Sequence, residues 1–201
     1  MKLITRDHYL NKLIDVKNTP DIKVISGIRR SGKSKLMDAF FDILEKEENA
    51  NVIRIKLNLK EFEKLKDPEE LYKYVQNNYK KEYTNYLLVD EIQLCKDFQV
   101  TINSLHEEEK FDIYLTGSNA FLLSSDLATL FGGRVFDISM FPFSFEEYNL
   151  YYPSNDIDNF NQIVFLYVDV ATKQEVIDLI KEIEKLPFVE SAGPNYIEHV
   201  E

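Results

Sequence analysis

The sequence is poor in the residues that build disulfides and metal clusters. Its 201 residues include one cysteine, Cys95, which excludes an internal disulfide and predicts a reducing, cytoplasmic setting. We interpret Cys95 as a small apolar helix residue rather than a nucleophile. The three histidines, His8, His106 and His199, lie far apart and lack the spacing of metal ligands.

Long apolar runs and an excess of positive charge are also missing. No stretch is long enough to span a bilayer, and residues 1–7 lack the apolar core of a signal peptide. The formal net charge is −11, whereas sequence-independent nucleic-acid binding needs clustered Lys and Arg. We therefore expect neither a membrane nor a nucleic acid as a direct partner.

The sequence does contain a glycine-rich loop in an informative context. Residues 27–34 read Gly-Ile-Arg-Arg-Ser-Gly-Lys-Ser, which is the spacing of a phosphate-binding P-loop. The β-branched segment Ile22–Ser26 precedes it, and apolar residues recur at helical spacing after Lys33. The glycines let backbone N–H groups approach phosphate oxygens, and a helix N-terminus adds positive charge. This context favours a nucleotide site over a chance match in a turn.

The P-loop assigns roles to individual side chains. Lys33 is predicted to reach the β- and γ-phosphates, and the Ser34 hydroxyl is predicted to ligate Mg²⁺. A triphosphate also explains the basic residues of the loop. The predicted nucleotide-binding residues are Gly27, Arg30, Ser31, Gly32, Lys33, Ser34 and Lys35.

Two carboxylates follow the next apolar strand. Residues 86–89 predict a buried strand, and Asp90 and Glu91 stand at its C-terminal end, where ligands bind in open α/β sheets. Asp90 is predicted to hold Mg²⁺, directly or through water, and Glu91 to polarise the attacking water. The alternative is a pair of loop carboxylates that follow a strand by chance. The adjacent glutamate favours an ATPase over a small-molecule kinase, because a kinase has no use for an activated water.

Polar residues also flank two later strands. Ser118 or Asn119, after a strand at 111–116, is predicted to touch the γ-phosphate or the water, and the alternative role is to cap the next helix. Arg134 precedes a strand at 135–139. It is predicted to reach a γ-phosphate in its own chain or a neighbour's, and the alternative is a surface ion pair.

Five motifs in this order resemble the AAA+-like P-loop ATPases found widely in prokaryotes. They are residues 27–34, Leu-Val-Asp-Glu-Ile-Gln at 88–93, Leu-Thr-Gly-Ser-Asn at 115–119, Gly-Gly-Arg at 132–134 and Phe-Pro-Phe-Ser-Phe-Glu-Glu-Tyr at 141–148. The resemblance covers about residues 1–150. It implies an α/β P-loop NTPase fold with a parallel five-stranded sheet, in which one strand lies between the P-loop strand and the Asp-Glu strand.

The resemblance also implies the roles of single residues. Lys33 and Ser34 correspond to the Walker A motif, and Asp90 and Glu91 to the Walker B motif. Ser118 or Asn119 corresponds to the first sensor, and Arg134 to the arginine of the family. ATP is implied as the nucleotide, which agrees with the lack of an Asn-Lys-x-Asp stretch typical of guanine-specific switches.

The predicted domains are a P-loop ATPase domain at 1–152, a linker at 153–162 and a small β-α-β, half ferredoxin-like segment at 163–201. The last cannot bury its helix alone, so it docks on the ATPase domain, pairs with another chain or stays partly disordered. Residues 186–196 are faintly similar to the end of subtilisin-type propeptides. Family members usually continue into a larger C-terminal region, so a truncated or fused chain is one interpretation.

The predicted function is a Mg²⁺-dependent ATPase that acts as a nucleotide-driven conformational switch, with slow or partner-dependent turnover. The alternative is a nucleotide-binding interaction module with little or no hydrolysis. Besides ATP, the expected partner is a second copy or another protein. A trans-acting Arg134 would require a ring or a dimer.

Overall fold

The structure is a computed structural model that describes residues 6–117, 131–144 and 147, together with 178, 180, 181, 183 and 185. The chain divides into two units, Met1–Pro142 and Phe143–Glu201. The elements of the first unit are α1 (Asp7–Asp15), β1 (Ile22–Ser26), α2 (Lys33–Leu44), β2 (Ala50–Lys56), α3 (Pro68–Asn77), β3 (Thr84–Asp90), α4 (Phe98–Glu107), β4 (Phe111–Thr116) and β5 (Val135–Ser139), with 3₁₀ turns at Lys60–Lys66 and Ile92–Leu94.

The five strands form one sheet in the order β2-β3-β4-β1-β5, and every neighbouring pair is parallel. β4 pairs with both β1 and β3, which confirms the strand predicted between the P-loop strand and the Asp-Glu strand. The carboxyl ends of parallel strands meet at one edge of a sheet. The ends of β1, β3 and β4 therefore bring the P-loop, Asp90 and Thr116 to the same edge.

Helices cover both faces of this sheet. Successive strand residues point to opposite faces, so β3 contributes to two apolar cores. Leu87 and Val89 pack with residues of α3 and α4, whereas Tyr86 and Leu88 pack with residues of α1 and α2. The sheet edge that carries the site is thus held from both sides by buried apolar side chains.

Helix α3 illustrates how local sequence sets the limits of an element. Residues 67–70, Asp-Pro-Glu-Glu, predict a helix start. The structure confirms it, because the Asp67 carboxylate accepts hydrogen bonds from the backbone N–H of Glu69 and Glu70 at 3.0 and 3.1 Å. The helical spacing of apolar residues from 71 onward predicts a helix that ends near residue 83, but the helix ends at Asn77. The Asn78 amide donates to the carbonyl oxygen of Tyr74 at 2.8 Å and closes the last turn.

The second unit is described at only a few positions. Residues 144–147, Ser-Phe-Glu-Glu, predict a capping box at its start. The structure confirms it: Ser144 N–H donates to the Glu147 carboxylate at 2.8 Å, and Glu147 N–H donates to the Ser144 hydroxyl at 3.1 Å. Residues 121–130, whose sequence predicts a helix, lie outside the described residues, as do the predicted linker and the strands of the β-α-β segment. Within the part of the chain that is described, no helix has the length and apolar character needed to cross a bilayer.

Candidate functional site

The P-loop joins β1 to α2 and packs against the end of β5. Gly27 has φ +145° and Gly32 has φ +99°, and a Cβ atom on Gly27 would lie 2.2 Å from the carbonyl oxygen of Met140. A side chain at Gly27 would therefore collide with the backbone after β5, and the φ values are those that glycine adopts without strain. The structure therefore has the glycine-dependent loop that the sequence predicts, and the Met140 backbone packs directly against it.

The Lys33 side chain folds back onto the P-loop, which precedes it in the sequence. It is buried, and its ammonium donates hydrogen bonds to the carbonyl oxygens of Gly27 and Ile28, both at 2.8 Å. An ammonium has three N–H donors, so one remains for a phosphate oxygen. Burial lowers the pKa of Lys33 below its ordinary value, although the nearby Glu91 and Asp90 carboxylates act to raise it.

Ser34 and Asp90 form the oxygen pair that the sequence predicts for Mg²⁺. The Ser34 hydroxyl donates to Asp90 Oδ1 at 3.1 Å, and Asp90, the last residue of β3, is buried. Among the described residues no group of three or more His, Cys, Asp or Glu side chains is placed to hold a metal. Mg²⁺ commonly takes one or two protein oxygens and completes its shell with phosphate oxygens and water. The donor set therefore fits Mg²⁺ carried by a nucleotide.

Glu91 follows Asp90 in the sequence and lines a cavity at the P-loop. This cavity has a volume of about 260 Å³, and its lining comprises Arg30, Gly32, Lys33, Ser34, Lys35 and Glu91. The structure thus brings together six of the residues that the sequence predicts for the site. Glu91 itself has a left-handed backbone, with φ 58° and ψ 50°, and Arg30 has φ 69°. Such conformations cost free energy in non-glycine residues and cluster at functional sites.

Ser31, another predicted binding residue, also bears on whether the loop can bind a phosphate group. Its hydroxyl is buried and has no hydrogen-bond partner in the part of the chain that the structure describes. A buried hydroxyl without a partner is destabilising, so it marks a place where an oxygen-rich ligand gains a hydrogen bond. Ser31 therefore supports a phosphate group at the loop.

Thr116 is a site residue that the sequence analysis missed. Its hydroxyl donates to Asp90 Oδ1 and accepts a hydrogen bond from the backbone N–H of Glu91 at 3.0 Å. Thr116 is fully buried at the end of β4. Only the strand pairing indicates this role for Thr116. β4 lies beside β3, so a polar residue at the end of β4 lies near Asp90. We had placed the functional polar residue two or three positions later, at Ser118 or Asn119, which lie outside the described residues.

Arg134 does not lie with the P-loop in its own chain. It precedes β5, and its carbonyl oxygen accepts from Ile22 N–H at 2.9 Å, so it stands at the start of β1. The P-loop follows the other end of that strand, roughly 15 Å away at about 3.3 Å per residue. The Arg134 guanidinium pairs with Glu107, the last residue of α4, and both side chains are exposed. This corrects the expectation of a contact with the γ-phosphate in the same chain and agrees with the alternative of a surface ion pair.

Arg6, the residue just before α1, contributes to the loop without having been predicted. The buried Arg6 guanidinium donates to the carbonyl oxygen of Ser31 at 3.4 Å, and to the carbonyl oxygens of Phe141 and Pro142 after β5. The Tyr9 hydroxyl accepts from Phe141 N–H at 3.2 Å. These contacts could not be predicted from the sequence, because they join segments far apart in the chain. They tie the P-loop to the segment that leaves the sheet.

The parallel sheet and the loop at its edge define a P-loop NTPase. The chain belongs to the AAA domain family, whose model matches residues 19–149. Membership confirms the resemblance to AAA+-like P-loop ATPases and gives the chain the character of a nucleotide-binding, ATPase-like domain.

Two relatives extend beyond this chain. It is 41% identical over 149 residues to an uncharacterized protein of Haemophilus influenzae, a match that covers 73% of this chain and 37% of the relative. It is 30% identical over 151 residues to an uncharacterized protein of Methanocaldococcus jannaschii, covering 74% of this chain and 33% of the relative. The chain therefore spans about a third of the length of these relatives.

Among solved structures, the crystal structure of Saccharomyces cerevisiae RIF2 is similar in fold. The TM-score is 0.51 with 13% sequence identity, and the match covers 90% of this chain and 71% of RIF2. At this identity the likeness concerns the fold alone.

Proposed function

We propose that the chain is a Mg²⁺-dependent ATPase in which nucleotide state changes the conformation around the P-loop. The observation that carries the proposal is the convergence of Lys33, Ser34 and Glu91 at one cavity, with Asp90 hydrogen-bonded to Ser34. Each side chain offers the chemistry that its position requires: a cation, an Mg²⁺-ligating hydroxyl, a metal-binding carboxylate and a base. A chance P-loop motif would not bring the end of β3 to the loop.

The residues divide the work of hydrolysis between them. The P-loop backbone and the remaining N–H of Lys33 bind the β- and γ-phosphates, and Ser34 and Asp90 hold Mg²⁺. Bound Mg²⁺ neutralises charge on the phosphates and polarises the bond to be broken. Glu91 orients a water toward the γ-phosphate and accepts its proton. The presence of Glu91 beside Asp90 supports hydrolysis over transfer to a small-molecule acceptor.

The conformational part of the proposal rests on how the loop is held. Met140 N–H donates to the carbonyl oxygen of Ser26 at 2.8 Å, and Met140 lies behind Gly27. Arg6 bonds both to Ser31 and to Phe141, so a movement of the loop on phosphate binding is passed to residues 140–142. This path leads out of the first unit, whose last residue is Pro142.

Arg134 enters the proposal only through a second copy of the chain. Its exposed position at the opposite sheet edge makes it available to a neighbour's γ-phosphate once its pair with Glu107 opens. A single copy lacks an arginine at its own γ-phosphate in this proposal, so we expect it to hydrolyse ATP slowly. A nucleotide-binding module with little hydrolysis is the competing function, and it retains every binding contact described above but does not need Glu91.

Steady-state phosphate release tests the proposal with three proteins: wild type, Glu91→Gln and Glu109→Gln. Glu109 is an exposed glutamate that also has a left-handed backbone, with φ 54°, so it controls for substitution at such a position. We expect Glu91→Gln to lose about a hundredfold in kcat, the scale of a general base, and to keep its affinity for ATP. We expect Glu109→Gln to match wild type. ATP binding without turnover in the wild type would instead support the interaction module.

A further inference from the structure

Gln93 makes a contact with Glu91 that the proposed roles leave unused. Its amide Nε2 donates a hydrogen bond to Glu91 Oε2. The opposite amide orientation would set the Gln93 oxygen against a carboxylate, which accepts hydrogen bonds and does not donate them. The chemistry of the pair therefore fixes which end of the amide faces Glu91.

The other end of the same amide is in an unfavourable place. Gln93 Oε1 is buried and has no hydrogen-bond partner within the described ranges 6–117 and 131–144. Burying an amide oxygen without a partner is destabilising. An apolar side chain of the same length would fill the 3₁₀ turn at Ile92–Leu94 without that cost. Packing alone therefore does not explain glutamine at this position, whereas the N–H donated to Glu91 does.

The backbone of Glu91 is held as firmly as its side chain. Its N–H donates to the Thr116 hydroxyl at 3.0 Å, and its φ of 58° lies in the left-handed region. This conformation turns the chain sharply after Asp90, so that residue 93 folds back beside residue 91. With Oε2 engaged by Gln93, the second carboxylate oxygen of Glu91 remains to accept a proton from water.

We propose that Gln93 is a positioning residue for hydrolysis, which fixes the Glu91 carboxylate in the orientation that activates the attacking water. The inference rests on the proposed ATPase function, since it has meaning only if Glu91 acts on water. Gln93 does not line the cavity, so its effect passes through Glu91. Loss of its N–H lets the carboxylate rotate, and the rate then falls because fewer molecules hold the base in its productive geometry.

The test compares Gln93→Met with Gln99→Met. Methionine keeps the length and burial of glutamine but removes the N–H donor. Gln99 is the matched control, because it is also half-buried and also has a buried Oε1 without a partner in the described part of the chain. For Gln93→Met we expect kcat to fall about tenfold, as for other residues that orient a reacting group, with KM for ATP within about twofold of wild type. Gln99→Met should leave both constants unchanged.

Gln93→Glu is the second variant, because it preserves size and polarity if methionine disturbs folding. It replaces the donor by an acceptor beside Glu91, and we expect a loss of kcat at least as large as that of Gln93→Met. Wild-type kcat in either Gln93 variant would overturn the inference, and so would a parallel loss of ATP affinity and thermal stability, which marks a structural role. A wild-type chain without turnover would overturn the proposed function, and the inference with it.

Discussion

The Ser34 hydroxyl donates a hydrogen bond to the Asp90 carboxylate at 3.1 Å, joining the first turn of α2 to the last residue of β3. The two residues are 56 positions apart in the chain. They meet because the carboxyl ends of β1 and β3 lie at the same sheet edge, separated by β4. The proposed Mg²⁺ site is thus a product of strand order, and β4 between the two strands also contributes to it.

Replacing Thr116 by valine tests that contribution of β4. Valine has the shape of threonine but no hydroxyl, so the buried Asp90 carboxylate loses a donor and Glu91 N–H loses its acceptor. We expect ATP turnover to fall about tenfold, and the free energy of unfolding to fall by about 1–3 kcal/mol. Thr116→Ser keeps the hydroxyl and should stay close to wild type. Equal turnover for the serine and valine variants would remove Thr116 from the site.

A buried ion pair at the other end of the sheet makes a prediction about stability. Lys23 Nζ lies 2.6 Å from Asp112 Oδ1, and the two side chains are 0% and 6% exposed. Asp112→Asn leaves the ammonium buried without a countercharge, so we expect a loss of about 3–5 kcal/mol in denaturant unfolding. The exposed Asp15→Asn is the control. The double variant Lys23→Met/Asp112→Leu should be more stable than Asp112→Asn, and a less stable double variant would contradict this explanation.

Asp38 on α2 predicts how stability depends on pH. Burial acts to raise the pKa of Asp38, but the Lys56 hydrogen bond and the charges of Lys56, Arg54 and Lys35 outweigh it and lower that pKa below its ordinary 3.8. A lowered pKa in the folded state means that the stabilisation is present above the unfolded value and is lost as the pH falls through the folded value.

The measurement is the difference in unfolding free energy between wild type and Asp38→Asn across pH. We expect about 1 kcal/mol near neutrality, shrinking toward zero below about pH 4. Asp42→Asn, at an exposed position on the same helix, should show a smaller difference at every pH. A difference for Asp38→Asn that grows in acid would mean that the carboxylate is not stabilised by these cations.

The buried position of Cys95 predicts how slowly its thiol reacts in the native protein. Burial, with smaller effects from Asp67 and Asp97, raises the pKa of its thiol to about 11, and the side chain is 1% exposed. A disulfide reagent at about pH 8 should therefore label the native protein slowly and label one thiol per chain once guanidinium unfolds it. Rapid labelling of the native protein would contradict the buried position. The thiol lies just after the 3₁₀ turn at Ile92–Leu94, not within a helix as its sequence context led us to expect.

Features that depend on residues close together in the sequence could be predicted, whereas features that depend on strand pairing were missed. The P-loop, the Asp67 cap and the Ser144 capping box were predictable because each depends on residues within a few positions of one another. The role of Thr116 and the position of Arg134 depend instead on the pairing of β4 and β5 with other strands, which residues within a few positions do not indicate. Arg134 in particular precedes a strand, and in a parallel sheet that places it at the edge opposite the P-loop.

Arg6 shows the same limit for side-chain contacts. Nothing in its neighbourhood in the sequence indicates a buried arginine, yet its guanidinium donates to carbonyl oxygens at Ser31 and Phe141. A charged residue is buried only where it finds such partners, and these partners exist only once the sheet has formed.

The proposed function requires that the P-loop and the end of β3 bind ATP with Mg²⁺, and calorimetric titration of ATP measures this binding. The proteins are wild type, Lys33→Ala and the exposed control Lys46→Ala, each titrated with Mg²⁺ and with a chelator. We expect wild type and Lys46→Ala to bind ATP, and to bind it more weakly when Mg²⁺ is removed. We expect Lys33→Ala to bind at least about tenfold more weakly than wild type. Absence of binding by the wild type, or equal affinity in Lys33→Ala, would contradict it.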